Sequence, residues 1–185
     1  MIGLLPKGGF MKAVLTAAAC LVLFLGLGKA QPAPEKSAWD GFRFLLGEWV
    51  GLGQGKPGEG TGYFSFAFDL QERIFVRRNH TEFPAAQGRP GFSHDDLMVV
   101  YRDDATKSVR AVYFDNEDHV IHYTAGFSAD NKTLTLLSDP VPSQPRFRLT
   151  YSQVKEGDLV IKFEITPPGK PDAFATYLEG RARKK

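Results

Sequence analysis

Tyr63-Phe-Ser-Phe-Ala-Phe-Asp-Leu70 decides the fold. Phe64, Phe66, Phe68 and Leu70 alternate with Tyr63, Ser65, Ala67 and Asp69, a period of two that gives a strand one dry face. Leu159, Ile161, Phe163 and Ile165 repeat the pattern against Lys162 and Glu164. Outward from these stretches, short runs of aromatic and β-branched residues recur, each closed by a turn signal. They predict strands over 48–54, 61–70, 73–83, 95–102, 108–115, 118–127, 133–138, 146–154, 158–166 and 173–182. Leu97-Met-Val-Val-Tyr101 and Ala111-Val-Tyr-Phe114 are apolar on both faces, so alternation leaves their inward side open. Consecutive antiparallel strands with short connections and no intervening helix most economically close into an all-β up-and-down barrel, which removes exposed edges. A two-layer sandwich is the alternative.

Upstream, Ser37-Ala-Trp-Asp-Gly-Phe-Arg-Phe-Leu-Leu46 places Trp39, Phe42 and Leu45 or Leu46 at helical spacing behind a Ser37 cap. A short N-terminal helical segment is expected there. If the strands alternate up and down, the loops after them fall into two sets, and every proline beyond residue 36 lies in one set. That end is built from stiff loops and the other from tight polar turns such as Lys155-Glu-Gly-Asp158. The helical segment enters the first strand from the tight-turn end, where it is placed to plug the barrel.

The first 30 residues read as a secretory leader. Lys7 and Lys12 precede an apolar run from Ala13 to Gly28, and Gly28-Lys-Ala30 offers small residues for cleavage. The run is short for a spanning helix, so no stable membrane insertion is expected once it is removed. Residues 31–36 form a linker and 37–185 the barrel domain. The whole sequence carries 23 Lys+Arg against 21 Asp+Glu, and removing Lys7, Lys12 and Lys29 leaves 20 against 21. A near-neutral surface has no electrostatic footprint for nucleic acid. The only cysteine, Cys20, lies in the leader, which excludes disulfides, thiolate metal sites and cysteine nucleophiles from the rest of the chain. A secreted or periplasmic protein is expected.

Phe44-Leu-Leu-Gly47-Glu-Trp49-Val-Gly51-Leu-Gly53-Gln-Gly55 resembles the Gly-x-Trp opening of the calycin-type barrels, which include the lipocalins. In its alternating glycines it is closer to the nitrobindin-like ten-stranded barrels, and His94-Asp-Asp-Leu-Met-Val-Val-Tyr101 followed by Tyr113-Phe-Asp-Asn-Glu117-Asp-His119 resembles an uncharacterised bacterial exported branch of the same superfamily. Tyr177-Leu-Glu-Gly-Arg181-Ala-Arg183 resembles the closing strand, where the resemblance implies a basic residue, Arg181 or Arg183, packed across Trp49 beside Gly47. Nitrobindin-like proteins that bind haem use a histidine in the C-terminal part of the chain. This sequence has none after His122 and offers Tyr177 instead, so no cofactor is assigned.

Hairpin arithmetic gathers His94, Asp95, Asp96, Asp115, Glu117 and His119 at the Pro-rich end, with His80 close by and Asp115 opposite Asp118. Imidazoles and carboxylates so placed bind a divalent metal, divide acid and base roles or form a solvated rim. No spacing among them matches a recognised metal motif, and no metal is assigned. Ser93-His94-Asp95 is not a triad, because neighbours on a strand point to opposite faces. In Arg73-Ile-Phe-Val-Arg-Arg-Asn-His80, either Arg77 or Arg78 points inward, to anchor a ligand or to pair with Asp96 or Glu82.

Three functions remain open at this level. The first is a barrel holding a small apolar or amphipathic molecule, anchored by Arg77 or Arg78 with His80, His122 and Tyr113 assisting. The second is a hydrolase or isomerase using the rim residues, and the third a structural barrel with a filled core.

Overall fold

Among the described residues ten strands build a barrel: β1 (Gly47–Lys56), β2 (Thr61–Asp69), β3 (Ile74–Phe83), β4 (Phe92–Asp103), β5 (Ser108–Asp115), β6 (Val120–Phe127), β7 (Thr133–Ser138), β8 (Arg146–Lys155), β9 (Asp158–Thr166) and β10 (Ala175–Lys184). The computed structural model describes residues 39–56, 60–86, 88 and 90–185, the side chains of 53–56 excepted. The leader with Cys20, the linker, Ser37 and Pro57 lie outside the described residues. Each strand pairs antiparallel with the next, and β1 pairs β10, closing the barrel. The sandwich alternative is thereby excluded.

The strand edges depart from expectation for local reasons. β4 begins at Phe92, three residues early, because Phe83 and Phe92 stack at 4.7 Å and prolong the hairpin. β6 begins at Val120 because the Asp115 carboxylate accepts the backbone N–H groups of Glu117 and His119 and folds those residues into a turn. Asp115 therefore faces His119, whose carbonyl accepts its N–H at 3.3 Å, and not Asp118. Leu70 leaves the dry face altogether: with Gln71 and Glu72 it takes a positive φ in the β2–β3 turn and stands exposed.

Inward-facing residues follow the alternation. Phe64 and Phe66 of β2, Phe75 of β3, Met98 and Val100 of β4, Tyr123 of β6 and Tyr151 of β8 are buried in one continuous core. The rings interlock, Phe66 stacking on Phe75 at 5.2 Å and meeting Tyr151 edge-on at 5.3 Å. Each such ring contributes about 1.5–3 kcal/mol by its removal from water.

The helical segment is a 3-10 turn, Asp40–Leu45, with Trp39 in the cap position. It plugs the tight-turn end. Phe42 meets Phe75 at 5.1 Å and Phe127 at 4.7 Å, while Trp39 meets Phe68 at 5.9 Å. A Cβ on Gly41 would lie 3.1 Å from the Phe127 ring, so a larger residue there would lift the plug.

At the seam Trp49 pairs with Lys184, whose ammonium lies 5.8 Å from the indole centroid. The expected arginine is thus corrected to lysine. Arg181 is exposed and lies opposite Val160, and Arg183 reaches Asp158 at 3.3 Å. The strand pairing sets this, since only residue 184 stands directly across from Trp49. Gly47 completes the cluster: its φ is +108°, and a Cβ would come within 2.8 Å of the Lys184 side chain.

The eight described prolines beyond residue 56 all lie in the connections 84–91, 139–145 and 167–174, at the end opposite the plug. Here the packing loosens. Tyr113, Ile121, Phe147, Ile161 and Phe163 face inward yet are only partly buried, whereas Ala111, Tyr123, Leu149, Tyr151 and Leu159, deeper on the same strands, are buried. The barrel is filled from the plug to its middle, and its inward side chains lose burial toward the Pro-rich end, the mouth of the barrel.

Candidate functional site

One wall of the mouth is polar. The turns β4–β5 and β5–β6 set Asp96 opposite Asp115 and Met98 opposite Tyr113, so His94, Asp96, Tyr113 and Asp115 project to the same side. His94 Nδ1 lies 2.8 Å from Glu117, and its Nε2 lies 3.1 Å from the Tyr113 hydroxyl and 3.5 Å from Asp96. The Tyr113 hydroxyl donates to Asp115 at 3.1 Å, and His119 Nδ1 meets the same carboxylate at 2.9 Å. Below them Arg77 is buried and pairs with Asp96. The chain Glu117–His94–Tyr113–Asp115–His119 is continuous.

Its electrostatics follow from that geometry. Asp96, then Glu117, raise the His94 pKa to about 9 against partial burial. Burial, reinforced by Asp96 and Asp115, pushes the Tyr113 hydroxyl above its ordinary range and keeps it a neutral donor. Asp115 is held below the ordinary carboxylate range: partial burial opposes its ionisation, but the bonds from His119, Glu117 and Tyr113 outweigh it. The opposite wall is apolar, with Phe147 stacked on Phe163 at 5.8 Å and Ile161 beside them.

Several expected members stand elsewhere. Asp95 leaves the rim cluster and lies on the outer wall with His80, 2.7 Å from its Nδ1. Alternation is the reason, since His94 and Asp96 take the inward side. Arg78 is likewise outward and exposed, and Arg77 is the inward arginine, neutralised by Asp96. His122 is exposed on the outer wall, because Ile121 and Tyr123 are the inward pair on β6. Ser93 and Asp95 share a face at 3.4 Å while His94 points away, as strand geometry requires.

Sequence reasoning missed Phe147 and Ile161 as mouth residues, although the alternation of β9 pointed to Ile161. It also missed that Tyr63, Arg78, His80, Asp95, Leu97 and Phe114 line one outer depression. The register Tyr63–His80–Asp95 and Arg78–Leu97–Phe114 across four strands brings them together. Among the described residues, no group of three or more His, Asp or Glu is arranged to hold a metal ion.

The haem implied by the nitrobindin resemblance does not fit these residues. Tyr177 stands half exposed at the rim, at a β-bulge with its ring edge-on to Phe163, and the floor beneath is packed with Phe64, Phe66 and Tyr151. The fold is a closed ten-stranded antiparallel barrel compatible with the calycin architecture. Compared with known proteins, the chain matches no family model and no curated protein at a significant level.

Proposed function

We propose that the protein is an exported binding protein that seats a small amphipathic molecule in the Pro-rich mouth of the barrel. The observation that carries this reading is the loss of burial along the inward face. Apolar side chains such as Phe147, Ile161 and Phe163 point into the barrel yet remain partly exposed, opposite the hydrogen-bonded wall of His94, Tyr113 and Asp115. A protein evolved only as a filled scaffold gains nothing by leaving inward aromatic surface wet.

Magnitudes favour an amphipathic ligand over a hydrocarbon. Covering about 300 Å² of apolar ligand surface gains roughly 7.5 kcal/mol, and association costs at least about 4. What remains is near-millimolar affinity. A charge-assisted hydrogen bond of about 1.5–3 kcal/mol brings this to between about 200 and about 20 μM. Arg77 is buried in its pair with Asp96, so that bond falls to the more accessible His94, which exchanges its contact with the exposed Glu117 carboxylate for the ligand. Stiff proline loops need little ordering on binding, which lowers the cost further.

Export rests on the leader, and kinship with nitrobindin-like and lipocalin barrels rests on the Gly47–Trp49 opening and the ten-strand closure. N-terminal sequencing of exported protein should find cleavage near Ala30, and retention in the membrane fraction would count against it. For the mouth, native mass spectrometry with extraction of co-purified ligand is joined to titration with a fluorescent fatty acid. His94→Gln and Phe163→Ser should each weaken binding. Unchanged affinity in both, or no saturable binding, sinks the proposal.

A second reading, catalysis, is favoured by one contact. Asp115 holds Nδ1 of His119 while the ring is 60% exposed, an orientation that leaves Nε2 free to act as a base. Ester hydrolysis lost in His119→Gln but retained in His94→Gln would support it.

A further inference from the structure

The outer wall of a closed barrel faces water and has no structural need for a recess. Across β2 to β5, however, a depression of about 540 Å³ is sunk into it, within the size range of small-molecule sites. Two large side chains that a water-facing wall would ordinarily shed flank it, Tyr63 at 54% and Phe114 at 42% exposure. The recess lies on the opposite side of the sheet from the barrel mouth.

Its charges are accounted for except one. Asp95 is held by His80, which is tied at both ring nitrogens by Asp95 and Glu82, while Asp96 and Asp115, at the edge of the recess, turn their side chains to the mouth side and are held by Arg77 and His119. Arg78, exposed in the middle of the recess, has no ion pair or hydrogen-bonding partner among the described residues. An unpaired guanidinium presents a planar fork of donors, matched by a carboxylate.

Register fixes what lies beside it. Ser65 stands directly across from Arg78 on β2, Leu97 directly across on β4, and Phe114 across from Leu97 on β5. Strands lie about 4.8 Å apart, so apolar surface runs from Arg78 in one direction for roughly 10 Å, and a hydroxyl stands on the other side. We propose that this recess is a second binding site, separate from the mouth, for a small organic carboxylate with an aryl or short alkyl body. The acid meets Arg78 and Ser65, and the body lies over Leu97 against Phe114. A bare inorganic anion would use the guanidinium and leave the apolar side unfilled.

The test is an NMR titration of the intact barrel with 4-phenylbutyrate, its neutral counterpart 4-phenylbutanol, and inorganic phosphate. With 4-phenylbutyrate, saturable amide shifts should centre on Ser65, Arg78, Leu97 and Phe114. The alcohol and phosphate should each bind at least about tenfold more weakly. Arg78→Met should reduce 4-phenylbutyrate affinity by about tenfold or more, with Arg78→Lys intermediate, while Phe163→Ser leaves these shifts unchanged. Arg78 is exposed, so its variants keep the fold, and dispersed spectra check this directly. The proposal is overturned if alcohol and acid bind alike, if phosphate binds as well as the acid, or if Arg78→Met has no effect. Shifts confined to Phe147 and Phe163, or no saturation by about 10 mM, overturn it equally. Failure at the recess leaves the mouth readout on Phe163 independent.

Discussion

The Trp49 indole N–H donates to the Leu45 carbonyl at 2.7 Å, with the ring fully buried. This bond joins the first strand of the barrel to the end of the 3-10 plug, so one residue secures both the seam and the closed end.

Trp49→Ala should cost about 3–5 kcal/mol. Trp49→Phe should cost about 1–3, because it leaves the Leu45 carbonyl buried without its donor. Urea unfolding measures both, and a loss under about 1 kcal/mol for the alanine variant would remove Trp49 from the core.

Arg77 and Asp96 form a buried ion pair, their side chains 10% and 3% exposed. Asp96→Ala alone should destabilise by about 3–5 kcal/mol, since it strands a buried guanidinium. Arg77→Met with Asp96→Leu should recover most of that loss. A double-mutant cycle in which the double variant is as unstable as the sum of the singles rejects this account.

His94 sets a pH dependence whose sign is fixed. Its folded pKa, about 9, lies above the ordinary 6.5, so its contribution is complete below about pH 6.5 and lost as pH rises through 9. Discounted for its partial exposure, the effect should be about 1–2 kcal/mol. Urea midpoints from pH 6 to 10 should fall in wild type and flatten over this window in His94→Gln. An NMR titration placing His94 near 6.5 would falsify the assignment.

The Tyr151 hydroxyl is buried with no hydrogen-bonding partner among the described residues. Tyr151→Phe should therefore raise stability by about 1 kcal/mol, removing a desolvated hydroxyl while keeping the ring packed against Phe66. A loss of more than about 1 kcal/mol would show that the hydroxyl is satisfied in solution.

Much of the architecture was legible because period-two alternation and turn chemistry are local. Phe64, Phe66 and Phe68 name their own dry face, and ten such runs leave few ways to hide strand edges. The rim cluster was legible only in part. Hairpin arithmetic brought His94 near Asp115, but alternation on β4 was masked by Leu97-Met-Val-Val-Tyr101, apolar on both sides, so Asp95 was grouped with residues of the opposite face.

The sequence by itself determined the strand count, the dry faces of β2 and β9, and which connections carry the prolines, because each follows from neighbours in the chain. Only the tertiary structure decided which arginine turned inward, that Lys184 and not Arg181 crosses Trp49, and that Tyr63, Arg78 and Phe114 share one recess. Those outcomes depend on register between strands distant in sequence, and a shift of one residue would have sent every one of these side chains to the other face.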